Sequence, residues 1–211
     1  MRRTLPRFYT LDQMIALATQ PDRHSFTGIR DRAILGLACA TGLRASELCA
    51  LTVGDVTPTL VHVQSGKGGH QRLVPLTEAS WRAILRYRAI HPAQRHEPLF
   101  RTRDGRAFSR HRLYKLVRYY SRRAGLRGAV HTIRHSLATL LVNQGLDLVR
   151  VKVLLGHVSL TSTQIYVSTA TDELVRQYRR AMQRPALAPA ARSTGGRGPR
   201  CPARPRLACS L

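Results

Sequence analysis

Six side chains of this sequence are suited to moving a phosphoryl group, and they fall in four short stretches. In "TGLRASEL", Arg44 and Glu47 stand at i, i+3, which puts them on one face of a short helix. A carboxylate one turn away orients a guanidinium without blocking its fork, and a helix start also points backbone N–H groups outward. The same spacing fits a surface ion pair of little consequence. Lys67 sits in "GKGG", where flanking glycines allow close backbone approach to a ligand. A solvated lysine at a hairpin tip reads equally well, and the phosphate-loop pattern is absent.

In "HTIRH", His131 and Arg134 share a face, pairing a group that titrates near neutrality with a bidentate oxyanion clamp. His131 and His135 also stand at i, i+4, a zinc-ligand spacing with His157 as a candidate third ligand. The position after His131 is threonine, so a zinc protease's glutamate is missing, and Arg134 would place a positive charge beside the metal. His135 reads better as a buried or buttressing residue behind the site. His157 and Tyr166 bracket a Ser/Thr-rich stretch. A phenol is a poor nucleophile at pH 7 unless a base or a cationic field helps it. Tyr166 alone also fits as an aromatic filling a helix end.

Taken as a set, these groups describe one reaction. Two arginines clamp the non-bridging oxygens of a phosphodiester as charge builds. A histidine moves a proton, a lysine protonates a leaving oxygen, and a tyrosine attacks phosphorus. The 11 Asp and Glu are scattered, which argues against a two-metal nuclease. The inventory is that of a phosphoryl transferase working through a phosphotyrosine, with no metal and no cofactor expected.

The composition points the same way. Against those 11 acids stand 35 Lys and Arg, for a net charge of +24 over 211 residues. An excess this large predicts attraction to a polyanion, nucleic acid first and an anionic membrane surface second. Apolar residues at 43% suffice for a real core. No apolar run approaches the ~20 residues of a bilayer span, and no apolar stretch of a secretory signal follows the charged start. Cys39 and Cys49 read as reduced core thiols, and Cys201 and Cys209 lie in a tail. A cytoplasmic setting without membrane attachment is the expectation.

The elements that must position these residues are mostly helical. Apolar periodicity and caps predict helices near 11–19 (inward Leu11, Met14, Ile15 and Ala18), 29–41, 44–51, 78–90, 109–124, 132–144, 147–155, 160–166 and 171–183. Between the third and fourth, "TLVHVQSGKGGHQRLVPL" reads as two strands around a Gly-rich turn, and "VGDV" as a candidate third strand. The fold class expected is α+β, predominantly α-helical, with a small antiparallel sheet inserted near residues 53–76. Residues 1–9 read as a basic arm, 10–184 as the folded domain, and 185–211, rich in Pro, Gly, Ala and Arg, as a disordered basic tail.

"ATGLRASELCALTVGDV", "GKGGHQRLVPL", "HTIRHSLATLLVNQGLDLVRVKVLLGH" and "STQIY" resemble, in order and separation, the signature boxes of the tyrosine recombinase, or phage integrase, family. The resemblance covers roughly residues 10–180, the family's catalytic domain. It implies that Arg44 and Arg134 bind the scissile phosphate and that Glu47 supports Arg44. It makes Lys67 the general acid toward the 5′-oxygen and His131 an acid/base group. His157 would hydrogen-bond the phosphate, and Tyr166 would be the nucleophile that forms a 3′-phosphotyrosyl link. The activity implied is site-specific DNA recombination or integration on double-stranded DNA, without metal or ATP. Self-assembly into dimers or tetramers on DNA is implied too, with the helix near 171–183 docking on a neighbouring subunit. A non-cutting DNA-binding member and a type IB-like nicking and resealing activity are the rivals. Most members carry a helical DNA-gripping domain ahead of this one. Here the chain opens almost directly on the catalytic domain, as in the similarly short fimbrial-inversion recombinases of the family or in a truncated gene or fragment; if the gripping domain is absent, Arg-rich surfaces and the tail are expected to supply much of the DNA affinity.

Overall fold

Five of the described helices begin where a short polar side chain at the N-cap holds one of their first N–H groups. The computed structural model describes residues 8–64, 71–156 and 170–183. Thr10 and Gln13 form a reciprocal capping box ahead of α1 (Leu11–Thr19). Ser25 caps α2 (Phe26–Thr41), which therefore starts three residues before its expected position. The short α3 (Ala45–Ala50) follows Arg44 at its N-cap. Thr77 caps α4 (Glu78–Ile90), and Ser109 caps α5 (Arg110–Arg123). The sixth helix, α6 (Val130–Asn143), starts two residues earlier than its apolar pattern suggests. Thr132 Oγ1 reaches back to accept from Ala129 N at 3.1 Å, which places His131 in the first turn. Asp147 caps α7 (Leu148–Leu155), and α8 spans Ala170–Gln183.

Only two strands form among the described residues. β1 (Leu60–Val63) and β2 (Arg72–Pro75) pair antiparallel, with Val63 opposite Arg72 and Leu60 opposite Pro75. The third strand expected at "VGDV" is instead a 3-10 turn over Val53–Asp55. The Asp55 carboxylate closes it by accepting from the Thr52 N–H at 2.8 Å and the Thr52 hydroxyl at 2.7 Å. Val61 and Val63 turn inward, and Leu73 stands exposed beside buried Val74.

Helix α2 is the spine. It is buried along most of its length, and α1, α4 and α6 pack on it. In α1 the inward residues are Leu11, Met14 and Leu17, while Ile15 faces solvent. Among the described residues burial begins at Tyr9, whose backbone N–H donates to Ser136 Oγ at 2.7 Å. Helix α5 turns Leu113, Leu116, Val117 and Tyr120 inward and leaves Arg110, Arg112, Lys115, Arg118, Arg122 and Arg123 exposed, as its sequence predicts. In this single chain α8 lies on its own body. Tyr178 is fully buried there, and its hydroxyl donates to the Ala40 carbonyl. Burial pushes the Cys39 thiol up to about 12, which suits a reduced core cysteine. Among the described residues no helix is long and apolar enough to cross a membrane. The expected helix at 160–166 and the tail at 185–211 lie outside the described residues.

Candidate active site

The turn between α2 and α3 builds the first wall of the site. Gly42 ends α2 in the left-handed conformation at φ 59°. A Cβ there would stand 2.9 Å from Leu137 Cδ2 and 3.0 Å from Leu155 Cδ2, so glycine lets α6 and α7 close against the turn. The Gly42 carbonyl accepts from Arg134 Nη1 at 2.8 Å, and the Leu155 carbonyl accepts from Arg134 Nη2. Arg134 is thus held at both ends by backbone oxygens and is only 7% exposed.

Arg44 stands across from it with its side chain 43% exposed. Its Nη1 donates to Glu47 Oε1 at 2.9 Å, and its Nη2 donates to the Gly156 carbonyl at 2.7 Å. Its backbone N–H donates to Glu47 Oε2 at 2.8 Å, so Glu47 caps the helix and orients the guanidinium at once. The Arg44–Glu47 pair is therefore part of a built cluster and not a free surface ion pair.

A third arginine completes the cluster. Arg72, the first residue of β2, lays a two-pronged fork on Glu47, with Nη1 to Oε1 at 2.9 Å and Nη2 to Oε2 at 2.8 Å. Its Nε donates to the Leu154 carbonyl at 3.0 Å. Sequence reading missed Arg72, because an arginine beside a Gly-rich turn looks like a surface cation. The available signal was its place at a strand start in an inward-facing register.

The electrostatics follow from three guanidiniums around one carboxylate. Burial pushes the Glu47 carboxyl up, but the hydrogen bonds from Arg72 and from the Arg44 backbone outweigh it. With the charge of Arg72 they hold the group down at about 2. Burial, followed by the neighbouring charge of Arg44, brings the Arg134 guanidinium down to about 10. Glu47 opposes that fall and Arg72 adds to it. All four groups are charged at neutral pH, which leaves two positive charges uncompensated within the cluster.

His131 sits one turn before Arg134 on α6 and is exposed. The Tyr114 hydroxyl of α5 lies 3.3 Å from its Nε2, a contact that fixes the ring and that the sequence did not signal. His135 corrects an expectation. It is exposed, not buried behind the site, because α6 spends its inward positions on Ile133, Arg134, Leu137, Leu140 and Leu141. Lys67, His157 and Tyr166 lie outside the described residues. Among the described residues no group of three His, Cys, Asp or Glu is placed to hold a metal. The arrangement offers fixed, partly desolvated guanidinium donors, with an exposed histidine one turn before Arg134 on the same helix, and such donors are what binding a phosphoryl oxyanion requires.

Comparison with known proteins adds to this geometry. The sequence model of the phage integrase family matches residues 7–173. The chain is 35% identical over 190 residues to the tyrosine recombinase XerC of Thermodesulfovibrio yellowstonii, an alignment covering 84% of this chain and 63% of that protein. The chain thus spans under two thirds of the length of this curated relative. Its fold is similar to the crystal structure of XerA recombinase, with a TM-score of 0.67, 25% identity, and coverage of 87% of this chain and 66% of the other. It is also similar to XerH site-specific recombinase bound to its difH substrate in a pre-cleavage complex. There the TM-score is 0.61 and the identity 27%, with 83% of this chain and 50% of the other covered.

Proposed function

Because the chain belongs to the phage integrase family, we propose that it is a tyrosine-type site-specific DNA recombinase that cuts and rejoins strands through a 3′-phosphotyrosyl intermediate. The observation that carries this reading is the Arg44–Arg72–Arg134 cluster around Glu47, with two positive charges in excess. Arg44 and Arg134 each place two guanidinium N–H groups on described protein acceptors, and among the described residues their other guanidinium N–H groups have no acceptor.

In this reading the Tyr166 oxygen attacks phosphorus, and the bond to the 5′-oxygen breaks. The phenolic proton passes to a base, for which His131 is the candidate, and Lys67 protonates the departing 5′-oxygen. His157 donates to a non-bridging oxygen. The negative charge that builds on those oxygens meets Arg44 and Arg134, whose positions are already fixed by backbone carbonyls, so little reorganisation is needed. A phosphodiester is exchanged for a phosphotyrosyl ester of similar energy. Attack by a 5′-hydroxyl from a partner strand reverses the step, and neither ATP nor a metal is required by the balance.

The substrate in this reading is double-stranded DNA, met in the cytoplasm. The exposed Arg110, Arg112, Lys115, Arg118, Arg122 and Arg123 of α5 form a face suited to phosphate contacts. Assembly into dimers or tetramers on DNA belongs to the same proposal. In the single chain α8 rests on its own core, so docking on a neighbour would require it to exchange.

A suicide substrate tests the reading: nicked DNA carrying a target site, whose released fragment prevents religation. The full chain should trap a covalent adduct that survives denaturant, in EDTA as well as without it, and Tyr166→Phe should trap none. Band shifts with no adduct in either form would make the protein a DNA binder that does not cut. Resealing of nicked DNA without exchange between two sites would favour a topoisomerase-like activity.

A further inference from the structure

We propose that Arg72 is a positioning residue for the phosphate-binding arginines, acting through Glu47 and through the end of α7, an assignment that rests on the DNA-cleaving reading above. Three observations place it in that role. Its fork occupies both oxygens of Glu47, the same carboxylate that holds the Arg44 backbone and guanidinium. Its Nε holds the Leu154 carbonyl in the last turn of α7. Its guanidinium lies flat on Gly156, where a Cβ would stand 2.9 Å from Nη1 and 3.0 Å from Cζ. Gly156 is the left-handed cap of α7, its carbonyl receives Arg44 Nη2, and the next residue in the chain is His157.

Arg72 therefore ties three parts of the site into one body. It begins β2 just beyond the Gly-rich segment that carries Lys67, it grips α3 through Glu47, and it grips the end of α7. With a side chain only 12% exposed and these N–H groups already engaged, it is a poor candidate for touching substrate itself. Its effect on DNA cleavage passes through the groups it holds.

The charged groups facing Glu47 among the described residues are Arg44 on its own helix, Arg72 from β2 and Arg134 from α6, while α7 brings the backbone carbonyls of Leu154, Leu155 and Gly156. Removing Arg72 takes away two hydrogen bonds and one of three positive charges. Burial then governs the Glu47 carboxyl, which should titrate in the mildly acidic range. Once protonated it no longer anchors Arg44. A lysine at position 72 keeps a charge but cannot form the two-pronged fork and hold Leu154 together.

The experiment compares adduct formation on the suicide substrate by the full chain and by its Arg72→Gln and Arg72→Lys variants between pH 5 and 8, with thermal melts confirming that each is folded. Arg72→Gln should lose about 100-fold at pH 8, and its rate relative to wild type should fall about twofold further by pH 5. Arg72→Lys should lie between. In a Glu47→Gln background the Arg72→Gln change should add no pH-dependent loss. A folded Arg72→Gln whose rate relative to wild type is flat across that range overturns the proposal. If the wild type itself forms no adduct, the DNA-cleaving reading fails, and the Glu47 carboxyl followed by carbon NMR still decides about Arg72. Its titration midpoint should move upward by at least two pH units in Arg72→Gln, and an unmoved midpoint overturns the linkage on its own.

Discussion

Glu47 and Asp31 are equally buried, each 8% exposed, and each lies against an arginine, yet their carboxyls shift in opposite directions. At Asp31 burial prevails and raises the group above its ordinary range, although the charge and hydrogen bonds of Arg30 oppose it. At Glu47 the donors prevail. The difference is in how the oxygens are served. Arg30 places both Nε and Nη2 on one oxygen of Asp31, at 2.9 and 2.7 Å, and among the described residues the other oxygen has only the Tyr120 hydroxyl at 3.2 Å. Glu47 receives a fork across both oxygens, a backbone N–H and a second guanidinium. Asp31 joins α2 to α5 and meets one cation. Glu47 stands among three cations, Arg44, Arg72 and Arg134, and is the one fixed anion between them.

Glu47→Ala is the strongest way to break this contrast. It leaves Arg44, Arg72 and Arg134 without their anion, and removal of one partner from a buried cluster costs about 3–5 kcal/mol. Urea denaturation at pH 7 should show that loss. A carboxyl held low when folded contributes stability that is fully present above its ordinary value of 4.5 and fades as pH falls toward about 2. The gap between wild type and Glu47→Ala should therefore be full from pH 5 to 7 and narrow below pH 4.5. A gap that stays constant down to the acid-unfolding range would mean that Glu47 stabilises by packing and not by charge.

What could be read from the sequence follows the same division between local and distant causes. The bounds of α4 were legible because Thr77 caps it and His91–Pro92 ends it, signals that lie beside the helix they govern. The contact of Arg44 with Glu47 was legible because the two stand at i, i+3 around one short helix. Arg72 was not, since its partners Glu47 and Leu154 are 25 and 82 residues away and only the tertiary fold brings them to it. Tyr114 reads as one more member of a basic helix until α6 sets His131 beside it. His135 was misjudged because packing turns Ile133, Arg134 and Leu137 inward and leaves both His131 and His135 exposed, a rotation of α6 that the i, i+4 spacing of the two histidines does not set. Ile15, expected inward, faces solvent and Leu17 is buried in its stead, because packing against α2 rotates the buried stripe of α1 and periodicity fixes that stripe only to within about one residue.

At Asp31, Tyr120→Phe sharpens the comparison with a smaller effect. It strips the single donor from one buried carboxylate oxygen, and an unserved buried acceptor costs about 1–2 kcal/mol. The Tyr120 hydroxyl, raised to about 12 by burial and by the charge of Asp31, is protonated at every working pH and always donates. Carbon NMR of the Asp31 carboxyl should show its midpoint moving further up in the variant. An unchanged midpoint would show that the 3.2 Å contact does not act on Asp31 in solution.

Asp31→Asn should have the smallest effect, and its sign should depend on pH. A carboxyl whose value is raised by folding contributes stability that is fully present below its unfolded value near 3.8 and is lost as pH rises through the folded value. Asparagine does not ionise, so it keeps at pH 7 what aspartate keeps only in acid. Its carbonyl oxygen still accepts from Arg30, and its amide N–H can donate to the Tyr120 oxygen, so the geometry survives. Against this, Arg30 loses its anionic partner, although the Phe108 ring 5.0 Å from its guanidinium carbon continues to face the cation. The two terms should leave the variant within about 1 kcal/mol of wild type at pH 7. Its relative stability should improve as pH rises from 4 to 7, opposite in direction to the Glu47 series. A loss of several kcal/mol at pH 7 would show that Arg30 depends on the charge of Asp31 as the three-arginine cluster depends on Glu47. In that case the two carboxylates would differ in degree and not in kind.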